Sequence, residues 1–150
     1  MKMSQQDNPY VLIADDDPLM RRTVGIILRH AGCRVVAVPN GQVALDQMKQ
    51  EKPVLALLDV MMARISGLEL VRLIRQDPEL EDLPVFLLTA RAMLHEQRQG
   101  YAAGANDYIT KPFSNKDLVA RVTAVLKVHQ APDAAAPAVS SSADPSDPTA

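Results

Sequence analysis

The side chains best able to do chemistry in this chain are mostly acidic, and they stand at particular places. Asp15-Asp16-Asp17 follow one short apolar run, Asp59 closes a second, Thr89 a third, and Thr110-Lys111-Pro112 a fourth. Carboxylates gathered at one edge repel one another, a cost that is tolerable only when a cation joins them. Hard carboxylate oxygens select Mg2+ or a similar ion, which keeps part of its water shell and often bridges to phosphoryl oxygens. An ammonium group and a hydroxyl opposite that ion would complete a cradle for a trigonal phosphoryl group. Within such a cradle the Asp59 carboxylate can attack phosphorus and become an aspartyl phosphate. Each residue alone has a blander use: an aspartate after a strand caps a helix, Lys-Pro makes a turn, a threonine packs. The signal is their joint placement and order.

That placement depends on the elements between them. Short apolar runs at residues 10–14, 34–38, 54–58, 85–88 and 107–109 alternate with longer segments of helical period. Val54-Leu55-Ala56-Leu57-Leu58 is apolar throughout, as expected for a central parallel strand covered on both faces. Met20, Val24, Ile27 and Leu28 recur on one helical stripe, and Leu118, Val122 and Val125 repeat it. Asp17-Pro18 sets an N-cap acceptor before a first-turn proline. Ser66-Gly67-Leu68-Glu69 is a capping box, and Ser114-Asn115-Lys116-Asp117 nearly matches one. Strand and helix alternating five times predict an α/β fold, a single domain over residues 10–129 with a five-stranded parallel sheet, doubly wound. In such a sheet ligands bind outside the carboxyl ends of the strands, which is where Asp15, Asp16, Asp59, Thr89 and Lys111 are expected. The segment 92–103 has the weakest apolar stripe and is expected to be held least firmly. Residues 1–9 read as an N-terminal extension. Residues 130–150, almost entirely Ala, Pro, Ser and Asp, read as a disordered tail or linker, because they have too little apolar surface to offset their ordering entropy.

Composition narrows the function classes. With 150 residues the chain holds one domain, and a hydrophobic content of 47% suffices for its core. A net charge of −2 gives no basic field for nucleic acid and no polybasic membrane anchor. The apolar runs are far shorter than a membrane span, and the first seven residues, Met-Lys-Met-Ser-Gln-Gln-Asp, do not read as a secretory signal. The single cysteine, Cys33, excludes an internal disulfide framework and reads as a small core residue in a reducing compartment. The expectation is a cytoplasmic protein with no nucleic-acid or membrane partner.

From residue 10 to about residue 127 the chain resembles the receiver domains of bacterial response regulators, the CheY-like, flavodoxin-like phosphoacceptors of two-component signalling. The resemblance is carried by Asp15-Asp16, Asp59, Thr89-Ala90 and, most specifically, Gly104-Ala105-Asn106-Asp107-Tyr108-Ile109-Thr110-Lys111-Pro112-Phe113. It implies that Asp59 is the phosphoacceptor. It also implies that Asp16, Asp59 and the backbone carbonyl of Met61 ligate Mg2+, with Asp15 acting through water. Thr89 and Lys111 would bind the phosphoryl oxygens, and the Lys111–Pro112 peptide would be cis, which costs little before proline. The implied role is a signalling domain rather than an enzyme, at most phosphorylating itself from small donors and dephosphorylating itself. The implied partners are a sensor histidine kinase or histidine phosphotransfer protein, docking near the first helix, and a downstream effector protein or domain.

Two positions depart from the family's usual pattern. Ser66 replaces an aspartate but can still cap a helix, whereas Ala63 replaces a proline and is expected to loosen the loop presenting Met61. The expected switch is Thr89 drawn inward on phosphorylation while the Tyr108 ring moves from an exposed to a buried rotamer; the alternative is a tyrosine that is simply half-buried packing. The reporting surface would be the fourth helix, fifth strand and fifth helix. There Asp107 and Arg121 match one salt-bridge pair of the family's symmetric dimers and Asp117 stands where an acidic partner is usual, but Gln97 and Arg98 replace basic and apolar residues. A monomer is expected, at most weakly dimeric once phosphorylated. Two rivals fit less well. A haloacid-dehalogenase-type phosphatase would use Asp15 as nucleophile, but needs Thr or Val where Leu19 stands and a later acidic pair. A flavin-binding module would need hydroxyls and amides, not three aspartates, in its first loop.

Overall fold

A computed structural model of the chain describes residues 9–90 and 94–130. The expected extension and tail, apart from Pro9 and Gln130, and the start of the 92–103 segment lie outside the described residues. Ten elements alternate: β1 (Tyr10–Ala14), α1 (Pro18–His30), β2 (Arg34–Val38), α2 (Gly41–Gln50), β3 (Leu55–Asp59), α3 (Gly67–Gln76), β4 (Val85–Thr89), α4 (Leu94–Ala103), β5 (Asp107–Thr110) and α5 (Asn115–Gln130). The strands form one parallel sheet in the order β2-β1-β3-β4-β5. This is the predicted doubly wound α/β sandwich.

The three inner strands are buried at every position, since helices cover both faces. Alternate side chains feed two cores. Leu12, Leu58, Val85, Leu87 and Tyr108 pack with Met48, Leu70 and Ile74 of α2 and α3. Val11, Ile13, Leu57, Phe86 and Ile109 pack with Val24 and Leu28 of α1 and Leu118 and Val122 of α5. Cys33 belongs to the second core, the bland role read for it.

The strands close where expected, β3 at Asp59, β4 at Thr89 and β5 at Thr110, these polar residues joining the ladders through their backbones (Asp59 with Leu88, Thr89 with Thr110), while β3 starts at Leu55, one residue after the apolar run does. α5 runs one residue past the expected boundary. The expected caps are present: Asp17 accepts from the Leu19 amide, Ser66 from Glu69 and Ser114 from Asp117, at 3.0, 3.1 and 2.9 Å. Asn40 caps α2 through the Val43 amide at 2.9 Å, a cap not singled out in the sequence. Among the described residues no helix is long and apolar enough to cross a membrane.

One side chain ties three segments together. Arg75, near the end of α3, donates to the carbonyls of Glu81 (3.0 Å) and Leu83 (2.6 Å), twice to that of Gly104 (3.0 and 2.7 Å), and to Asn106 Oδ1 (2.9 Å). Those five bonds use all the donors a guanidinium has. Gly104 stands at φ 116°, and a Cβ there would meet Arg75 Cγ at 2.7 Å. The glycine and asparagine of the Gly104-Ala105-Asn106-Asp107 stretch thus form a receptacle for Arg75.

Candidate functional site

The sheet order places β1 beside β3 while the chain runs outward from each in opposite directions. At such a switch point the carboxyl ends of the strands open onto a crevice. Asp15 follows β1 in step with Val11 and Ile13, Asp59 closes β3 in step with Leu55 and Leu57, and Lys111 follows β5 in step with Ile109. Strand alternation therefore sends all three toward the α1 and α5 side. Lys111 Nζ lies 3.2 Å from Asp15 Oδ2 and 3.6 Å from Asp59 Oδ1. The Lys111–Pro112 peptide is cis, as the resemblance implies.

One carboxylate oxygen from each of Asp15, Asp16 and Asp59 lies within 4.8 Å of the others. Asp15 and Asp59 are buried, at 1% and 7% exposure, and Asp16 is exposed. Burial first, and the Asp15 charge second, raise the Asp59 pKa from 3.8 to about 6; Lys111 and the Met61 amide pull the other way. Two buried carboxylates against one ammonium leave excess negative charge, and the convergent donors are hard oxygens. This set fits Mg2+: Asp15, Asp16 and Asp59 would hold it, and the ion would supply positive charge facing a phosphoryl group.

The raised pKa has a testable sign. The fold favours protonated Asp59, so its contribution to stability is full below the usual carboxylate range and is lost as pH rises through about 6. Without divalent metal, Asp59→Asn should therefore gain stability over wild type between pH 5 and 7.5, by roughly 2 kcal/mol at the upper end. Urea titrations in chelator measure this, and a difference that stays constant across that range would contradict it.

Three neighbours shape the site without having been singled out for that in the sequence. Arg21, one turn into α1, donates to the Asp15 carbonyl at 2.7 Å, while the Asp17 amide donates to Asp15 Oδ1 at 2.9 Å. A cation one turn after the acidic run was the available signal for Arg21. Gly67, read as part of a cap, has a second duty, since a Cβ there would stand 2.4 Å from the Asp59 carbonyl oxygen. Only glycine lets α3 start directly against the Asp59 backbone. The Met61 amide bonds the Asp59 carboxylate, although the resemblance had singled out only the Met61 carbonyl. The loop containing Ala63 is tied by Val60 N–H to Leu88, Gly67 N–H to Val60 and Ile65 N–H to Ala63, at 3.0, 3.0 and 2.9 Å.

Thr89 is buried at the neighbouring strand end, on the other face, in step with Leu87 and beside the strand that carries Tyr108. Tyr108 is buried, at 8% exposure, and packed in the core, the inward of the two positions considered for its ring. Asp107 and Arg121 pair within the chain at 2.7 Å, and Arg121 also meets Asp117 at 3.1 Å; the pair matched to a dimer contact is satisfied internally. Two surface cavities of about 560 and 580 Å³ lie elsewhere, at the opposite edge of the sheet and between α1 and α5, and neither is lined by Asp15, Asp16, Asp59 or Lys111.

Comparison with known proteins agrees with this geometry. The sequence profile of the response regulator receiver domain matches residues 11–123. The phosphate regulon transcriptional regulatory protein PhoB of Pseudomonas aeruginosa is 40% identical over 127 residues, covering 85% of this chain and 56% of that protein. The transcriptional regulatory protein CseB of Streptomyces coelicolor is 40% identical over 121 residues, covering 81% and 50%. The chain thus spans about half the length of these curated relatives. Among solved structures, a putative response regulator from Chloroflexus aurantiacus superposes with a TM-score of 0.75 at 36% identity, covering 80% of this chain and 99% of that one. A Francisella response regulator receiver domain gives 0.74 at 29%, covering 80% and 98%.

Proposed function

This chain belongs to the response regulator receiver domain family of two-component systems, and on that premise we propose that Asp59 accepts a phosphoryl group from a sensor histidine kinase or histidine phosphotransfer protein. The observation that carries the proposal is Lys111 Nζ between two buried carboxylates at the sheet's switch point. An Asp59 carboxylate oxygen forms the bond to phosphorus as the phosphorus–nitrogen bond of a phosphohistidine breaks and neutral imidazole leaves. Lys111 turns from the carboxylates to a phosphoryl oxygen, and the Thr89 hydroxyl donates to another. Asp15, Asp16, Asp59 and the Met61 carbonyl would hold Mg2+, which would neutralise charge beside the phosphoryl group. The domain is a switch rather than an enzyme, and the fuller family pattern favours Asp59 over an Asp15 phosphatase.

The reporting surface is α4, β5 and α5, with Thr89 and Tyr108 as the switch and an effector protein or domain as the receiver of the signal. The site is cytoplasmic, where such donors are made. Internal pairing of Arg121 with Asp107 and Asp117 supports a monomer before phosphorylation and at most weak association afterwards.

Substitution separates the roles. Asp16→Ala removes an anionic ligand and should weaken Mg2+ binding at least about tenfold. Lys111→Ala should leave Mg2+ affinity within about threefold of wild type, because it removes a competing cation, while abolishing the response to beryllofluoride. Isothermal titration with Mg2+, then with beryllofluoride, measures both; equal loss of Mg2+ binding in the two variants would refute the assignment.

A further inference from the structure

Gly100 lies on the buried side of α4. A Cβ there would stand 2.9 Å from Leu87 Cδ1, 3.1 Å from Tyr108 Cδ2 and 3.4 Å from Tyr108 Cε2. The inward Tyr108 ring therefore occupies room that any side chain at position 100 would claim. The helix cannot readily retreat. The Gly100 carbonyl accepts the Ala105 amide and the Tyr101 carbonyl the Gly104 amide, both at 3.0 Å, and Arg75 grips the Gly104 carbonyl. Leu87 is fully buried, paired across the sheet with Leu58 on one side and Tyr108 on the other, so moving its methyl would displace close-packed core neighbours. Tyr108, on the edge strand β5, is the neighbour that can turn outward.

We propose that Gly100 is a positioning residue for Tyr108: by leaving this space open it admits the inward ring, and so sets how readily the domain takes its phosphorylated conformation. This rests on Thr89 and Tyr108 being the switch. A methyl group at position 100 wedges the ring outward and disfavours the state in which Thr89 has moved toward the phosphoryl group. A ligand of that state must then overcome the wedge, and its apparent affinity falls by the loss of the competent population.

The test uses the full chain labelled with 3-fluorotyrosine, its fluorine resonances assigned by replacing Tyr10, Tyr101 and Tyr108 in turn with phenylalanine. Gly100→Ala should shift the Tyr108 resonance toward that of a solvent-exposed ring before any activation, and should weaken Mg2+-dependent beryllofluoride binding about tenfold. In a Tyr108→Ala background the same substitution should change that affinity less than about twofold. Should Gly100→Ala fold poorly, Gly100→Ala/Leu87→Val removes the 2.9 Å contact, keeps those to the ring, and should show the same shift. An unmoved Tyr108 resonance overturns the proposal. So does a loss of thermal stability equal with and without beryllofluoride, the mark of a purely structural glycine. Failure of the wild type to bind beryllofluoride would overturn the receiver reading itself, a distinct result.

Discussion

Asp59→Ala should take up no phosphoryl group from acetyl phosphate and Mg2+, a loss of at least about a thousandfold in rate, while the wild type should gain one base-labile adduct. The effect is this large because no neighbour can take over. Both Asp15 oxygens are already engaged, one accepting the Asp17 amide and the other meeting Lys111. Asp16 is exposed, outside the buried pair that Lys111 bridges. Asp59 alone combines burial, the facing ammonium and the place at the end of the middle strand. Intact-mass measurement before and after hydroxylamine or mild base reads the adduct. A stable adduct forming in Asp59→Ala at the wild-type rate would sink the assignment.

Replacing Arg75 should destabilise the fold far more than an ordinary surface substitution does. Arg75→Met keeps the apolar stem but removes the donor from the carbonyls of Glu81, Leu83 and Gly104 and one of two donors from Asn106 Oδ1. Asn106 Oδ1 also accepts the Val85 amide at 2.8 Å, so the loss reaches the start of β4. Some of these acceptors gain water, which offsets part of the cost; about 3 kcal/mol is expected. Arg75→Lys should recover less than half, since a point charge cannot replace a fork that reaches two separate loops at once. Urea unfolding measures both variants, and a loss below about 1 kcal/mol for Arg75→Met would show that the clamp is replaceable.

Much of the fold and the site was legible in the order of residues alone. Apolar runs closing on Asp59 and leading into Asp15 marked the strands, their order of occurrence and the edge at which the acids gather, because a strand buried on both faces has no choice of residue type. The caps at Asp17, Ser66 and Ser114 were equally plain, since an N-cap needs only a local acceptor two or three residues from its donor. Strand ends at Asp59 and Thr89 were legible as well, whereas the start of β3 at Leu55 and the last residue of α5 were not, because side-chain polarity does not report backbone pairing.

The order of residues was thus enough for the class of fold and for the acidic cluster with its lysine, which follow from local pattern and from residue types found at strand ends. It took the packed molecule to show that Tyr108 sits inward, that Arg121 is satisfied within its own chain, that something packs where side chains at Gly67 and Gly100 would be, and that Arg75 holds three segments together. These are contacts between residues far apart in the chain: Arg75 and Gly104 are separated by 29 positions, and Lys111 and Asp15 by 96. Periodicity and capping act over a few residues, so they can place a side chain on a face but cannot say what fills the space opposite it.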